Sequence, residues 1–174
     1  HLVFADAALD QAVEGVVNGV FFNQGHVCCA GSRLLVEESV ADRVLDKLKA
    51  RMRKLRVGNP LDKNTDIGAI NSTAELEKIR GLIETGKQEG GCYFEPENIT
   101  LPTKGNFLRP CLFSDVAAAH TIGRVEVFGP VLAVSTFRTP AEAIAKANDT
   151  PYGLAAGIWS DKGSKVHALS LINI

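Results

Sequence analysis

The chain of 174 residues has one methionine, one tryptophan and two tyrosines, and almost no excess charge: 19 basic residues against 20 acidic, a formal −1. So balanced a composition leaves no electrostatic footprint for nucleic acid or for an anionic membrane, and neither is expected as a partner. No apolar run approaches the roughly 20 residues that span a bilayer. The start of the chain lacks the basic-then-apolar order of a secretory signal. Cysteine is scarce too. The four, at positions 28, 29, 92 and 111, fit no zinc-ligand spacing, so no metal site is expected, and they suggest no disulfide framework. Adjacent Cys28 and Cys29 rarely bridge, given disulfide geometry. A reducing compartment follows, the cytoplasm first and the mitochondrial matrix as the alternative. The sequons at Asn71, Asn98 and Asn148 are then chance matches. The length suits one domain with a sizeable core, and no repeat or linker divides it.

Strand and helix signals alternate along the chain. Leu2 to Ala5 reads as a short strand, and Asp6 is placed to cap a helix with Leu9, Val13, Val16, Val17, Val20 and Phe21 on one face. Leu34 to Val36 reads as a buried strand. Ser39 is placed to cap a helix striped by Val44, Leu45, Leu48, Met52 and Leu55, with a basic end that suits the macrodipole. Ser72-Thr73-Ala74-Glu75 is a capping box opening a helix with Leu76, Ile79, Leu82 and Ile83 inward. Cys92 to Phe94 reads as a strand with a structural cysteine. Pro110 makes the stretch from Phe107 to Phe113 an edge or irregular strand. Pro130 to Phe137 is the clearest β-run. Thr139-Pro140-Ala141-Glu142 joins a capping box to a proline at the first helical position, so a helix runs to about Asn148. A strand over Ala155 to Trp159 and a helix over Gly163 to Leu171 complete the pattern. Such alternation argues an α/β fold, a mostly parallel open twisted sheet flanked by helices.

Chemistry concentrates between the first helix and the second strand, in Phe22-Asn23-Gln24-Gly25-His26-Val27-Cys28-Cys29-Ala30-Gly31-Ser32-Arg33. Paired thiols among small residues sit where backbone can approach a substrate, and a thiol acts as nucleophile only as thiolate. The bland alternative is a pair of inert core cysteines. This run closely resembles the active-site segment of the aldehyde dehydrogenase superfamily, with Cys28 aligned to the nucleophile and Cys29 expected to pack inward. His26 departs from the family's usual Gln or Glu; lining of the substrate pocket is its expected role, ahead of a cysteine–histidine pair. Val125-Glu126-Val127-Phe128-Gly129-Pro130-Val131 resembles the family's Glu-x-Phe-Gly-Pro signature. There the carboxylate holds the nicotinamide ribose hydroxyls and the ring packs near the nicotinamide, as suits both residue types. Asn148-Asp149-Thr150-Pro151-Tyr152-Gly153-Leu154 resembles a third landmark in the family's order and spacing.

The resemblance implies the catalytic-domain fold and a covalent mechanism. Cys28 thiolate would add to an aldehyde to give a thiohemiacetal, hydride would pass to NAD or NADP, and water would release a carboxylic acid. The Cys28 N–H would be one oxyanion donor. Glu75, near a position where relatives carry a glutamine, is explained by its capping box. The family's general-base glutamate, oxyanion amide and dinucleotide-binding domain would lie upstream of His1, and no Gly-rich strand–turn–helix fingerprint occurs here. The chain therefore reads as most of one catalytic domain, residues 1–174, cut at both ends and without its dinucleotide-binding domain. Its parent would be a homo-oligomeric enzyme acting on an aldehyde substrate. Two other readings stay open: a non-catalytic binding or structural module, and a cofactor-independent thiol esterase.

Overall fold

The computed structural model describes residues 1–170. Its elements run β1 (Leu2–Val3), α1 (Leu9–Phe21), β2 (Arg33–Glu37), α2 (Ala41–Met52), α3 (Thr73–Gln88), β3 (Cys92–Phe94), β4 (Cys111–Ser114), α4 (Thr121–Arg124), β5 (Val131–Phe137), α5 (Pro140–Asn148), β6 (Ile158–Trp159) and α6 (Gly163–Leu169). The strands form one six-stranded sheet in the order β3-β4-β5-β2-β1-β6. All pairings are parallel except β3 with β4. The expected mostly parallel α/β sheet is therefore present.

Both faces of the sheet are buried, as parallel strands require when crossovers lay helices on each side. Side chains alternate along a strand, so neighbours serve different cores. Leu132 and Val134 of β5, with Leu34 and Val36 of β2, face α1 and α2. Val131 and Ala133 face Leu76, Ile79 and Ile83 of α3. Leu35 points away from the first core and joins Leu2, Phe4, Phe137 and Ala143 in a third. The predicted α1 face is buried at every named position, and the stripe of α2 is buried apart from half-buried Leu45.

Local signals succeed where the cap is a serine or threonine standing in extended backbone. Ser72 Oγ accepts from the Glu75 N–H at 3.1 Å, and Thr139 Oγ1 accepts from the Glu142 N–H at 3.2 Å. Two expected caps fail. Asp6 instead binds the Ser160 hydroxyl and the Lys165 ammonium, and α1 begins after Ala8 with no side-chain cap. Ser39 lies within a 3₁₀ turn and donates to Glu37, leaving α2 uncapped as well. Pro110 does not mark an edge: β4 lies between β3 and β5, because the proline stops just before the first paired residue. Ala155 to Gly157 stay outside β6, and α6 ends at Leu169; Leu171 lies outside the described residues.

Candidate active site

Topology brings the motifs together. β2 and β5 are parallel neighbours, so the loops that lead into them arrive at the same end of the sheet. One carries residues 22–32 and the other residues 125–130. The Ala133 N–H donates to the Ser32 carbonyl at 2.9 Å and ties the end of the thiol loop to β5. The segment before β6, with Tyr152 and Leu154, reaches the same end. A cavity of about 300 Å³ opens among them, lined by Cys28, Cys29, Arg33, Glu126, Tyr152 and Leu154 among others. Thus Cys28 and Glu126, separated widely in sequence, share one cavity.

The thiol loop has an unusual backbone. After α1 the chain turns through left-handed conformations at Asn23 (φ 49°), Gln24 (φ 49°) and Gly25 (φ 77°). Each non-glycine residue held there costs about 1–2 kcal/mol, so the surroundings must hold it. Asn23 does so locally: its carbonyl accepts from the His26 N–H at 3.0 Å, and its side-chain amide donates to the His26 carbonyl at 3.2 Å. Gly25 is required for a second reason. A β-carbon there would run into the Gly129 carbonyl, because the two loops touch backbone to backbone.

Cys28 and Cys29 occupy a tight turn closed by the Ala30 N–H on the Val27 carbonyl at 3.0 Å. Both thiols are exposed. The expectation that Cys29 packs inward is thereby corrected: a turn projects successive side chains outward, with no core beneath them. Cys92, read as structural, is also exposed on the edge strand β3, where Asp115 raises its pKa by accepting its hydrogen bond. Among the described residues, the N–H groups of Cys28 and Cys29 donate to no acceptor. An unspent donor beside a thiol can stabilise negative charge on an oxygen bonded to the carbon that the sulfur attacks.

Glu126 is exposed, and its carboxylate has no hydrogen bond or ion pair among the described residues. Its own N–H donates to the Tyr152 hydroxyl at 3.3 Å, which fixes the backbone and leaves the acid group available. Phe128 is half-buried and has φ 56°, the left-handed region that a bulky residue rarely enters. Its ring does not line the cavity. It stacks instead on His26, with centroids 5.5 Å apart and planes at 21°. His26 is likewise absent from the cavity lining, so the expected pocket-lining role is corrected. Nothing in the sequence signals its true neighbour, 102 residues away. Tyr152 lies within the third landmark, but no sequence signal ties it to Glu126. Arg33 donates to the Lys146 carbonyl at 2.9 Å; burial lowers its pKa, opposed by nearby Asp149.

The family model for the aldehyde dehydrogenase family matches residues 1–171. This chain belongs to the aldehyde dehydrogenase family. A betaine aldehyde dehydrogenase of Brucella ovis is 38% identical over 169 residues, 95% of this chain and 35% of the relative. The structure superposes on an NAD-dependent aldehyde dehydrogenase from Sinorhizobium meliloti with a TM-score of 0.93 at 38% identity, covering 98% of this chain and 34% of that one. A betaine aldehyde dehydrogenase from Staphylococcus aureus, solved with NAD+, matches with a TM-score of 0.92 at 34% identity over 98% and 34% of the respective chains. The chain spans about a third of the length of the aldehyde dehydrogenases it matches.

Proposed function

We propose that this chain is the thiol-bearing part of the catalytic domain of an enzyme that oxidises aldehydes to carboxylic acids with NAD(P)+. The observation that carries the proposal is Cys28: an exposed thiol on a turn, with an unspent N–H, in one cavity with the free carboxylate of Glu126. The Cys28 sulfur adds to the aldehyde carbonyl carbon, and the oxygen that gains the electron pair accepts from the Cys28 N–H. Glu126 fits a cofactor ribose because a carboxylate with no protein partner can accept from both hydroxyls. The Phe128 ring, which stacks on His26 outside that cavity, is proposed to pack near the nicotinamide when the cofactor is bound. NAD(P)+, when bound, supplies the hydride acceptor. The dinucleotide-binding domain belongs to the remainder of the enzyme, as does the base for thioester hydrolysis, and the chain alone is expected to be inactive as a dehydrogenase. The whole enzyme is proposed as a cytoplasmic homo-oligomer.

Acylation tests the nucleophile in this chain by itself. With p-nitrophenyl acetate, the Cys28 sulfur should take the acetyl group and release nitrophenolate. Without a general base to activate water, the thioester should persist. Intact mass and peptide mapping should place one acetyl group on Cys28. Preferential modification of Cys29 or Cys92 would sink the assignment, and rapid turnover would favour the cofactor-independent esterase.

A further inference from the structure

We propose that His26 is a positioning residue: as the neutral Nδ1–H tautomer it clamps Phe128 in its left-handed conformation and locks the Phe128 loop to the thiol loop. The inference rests on the reading of Phe128 as the nicotinamide-facing ring, but the clamp itself is argued from geometry. His26 Nδ1 lies 2.7 Å from the Phe128 carbonyl oxygen, which can only accept. Nδ1 must therefore carry the proton. The Asn71 backbone N–H, which can only donate, lies 3.4 Å from His26 Nε2. Nε2 must therefore present its lone pair. Both ring nitrogens are assigned by partners of fixed polarity, which leaves one tautomer.

Three segments meet on this one ring. The first is the left-handed turn that delivers Cys28, the second the Phe128 loop, and the third the residues just before α3, at Asn71. The ring stack with Phe128 adds to the hydrogen bond, so His26 grips both the backbone and the side chain of one residue. Phe128 has a strained φ and must be held by its surroundings. Its neighbour Gly129 already touches Gly25, so the loops are pressed together next to the clamp. A glutamine could reproduce both polar contacts, its amide N–H donating and its carbonyl accepting. A leucine could make neither.

The test uses this chain of 174 residues and nuclear magnetic resonance. In the unsubstituted protein, imidazole ¹⁵N spectra should show His26 protonated at Nδ1 and bare at Nε2. A strong intraresidue HN–Hα Overhauser contact at Phe128 should report its positive φ. His26→Gln should keep that contact, and His26→Leu should lose it with chemical-shift changes spreading to Asn71. A bare Nδ1 would overturn the proposal, as would a Phe128 contact unchanged in His26→Leu. If the leucine variant does not fold, the tautomer in the unsubstituted chain still decides. Acetylation of Cys28 is a separate measurement, so failure of the clamp and failure of the proposed function are distinguishable.

Discussion

Gly25 sits where two loop backbones touch, and its positive φ and lack of a β-carbon serve the same contact. Replacing it with alanine places a methyl group against the Gly129 carbonyl and forces a left-handed alanine. Gly25→Ala should destabilise the chain by about 1–3 kcal/mol, the range for overpacking where the backbone cannot yield. Urea unfolding would measure it, and an unchanged midpoint would show that the loops can part at little cost. At this scale the sequence is legible in kind but not in partnership. The run through Cys28 and Cys29 can be recognised as a thiol loop because its chemistry is local. That His26 turns from the cavity to Phe128 depends on a neighbour far along the chain. No periodicity encodes such a contact.

Elements are read best where a short-range hydrogen bond decides them. Ser72 and Thr139 each need only a residue three positions on, so their helices start where the sequence says. Asp6 has the right chemistry for a cap but stronger partners elsewhere, because Ser160 and Lys165 reach it from the far end of the chain. The same tertiary override places β4 inside the sheet despite Pro110. Thr139→Ala should therefore cost about 1 kcal/mol, the usual worth of a side-chain cap. It should also fray α5. Gly81→Ala should act oppositely. Gly81 lies exposed within α3, and a β-carbon there meets nothing within 4 Å. A gain of about 0.5–1 kcal/mol is expected from the helix preference for alanine. Denaturant titration of both variants tests the pair; a loss at Gly81→Ala would contradict the open space around it.

Across the whole molecule, the parallel order of β2 and β5 explains why one cavity holds both Cys28 and Glu126, and a parallel sheet could be expected from strand–helix alternation alone. The polar groups inside the second core could not. Cys111 is buried, and burial chiefly, with the Glu95 charge second, drives its thiol pKa far above the ordinary 9.0. Tyr93, its ring tilted against that of Phe113, is likewise pushed above its ordinary 10.0, by burial first and then by Cys111 and Glu95; its hydroxyl donates to Glu95 at 2.8 Å. Both groups hold their protons more tightly folded than unfolded. Their stabilisation is complete below the unfolded values and declines as pH rises above about 9, where only the unfolded chain ionises. Cys92 is also raised, but on an exposed strand it should add little. Stability measured by urea unfolding under reductant should therefore fall between about pH 8 and pH 11, the span in which free thiols and phenols titrate. Cys111→Ala should be less stable than the unsubstituted chain at neutral pH, through lost packing, yet show a shallower alkaline decline. Two parallel pH curves would mean that Cys111 is not the group whose ionisation the fold resists.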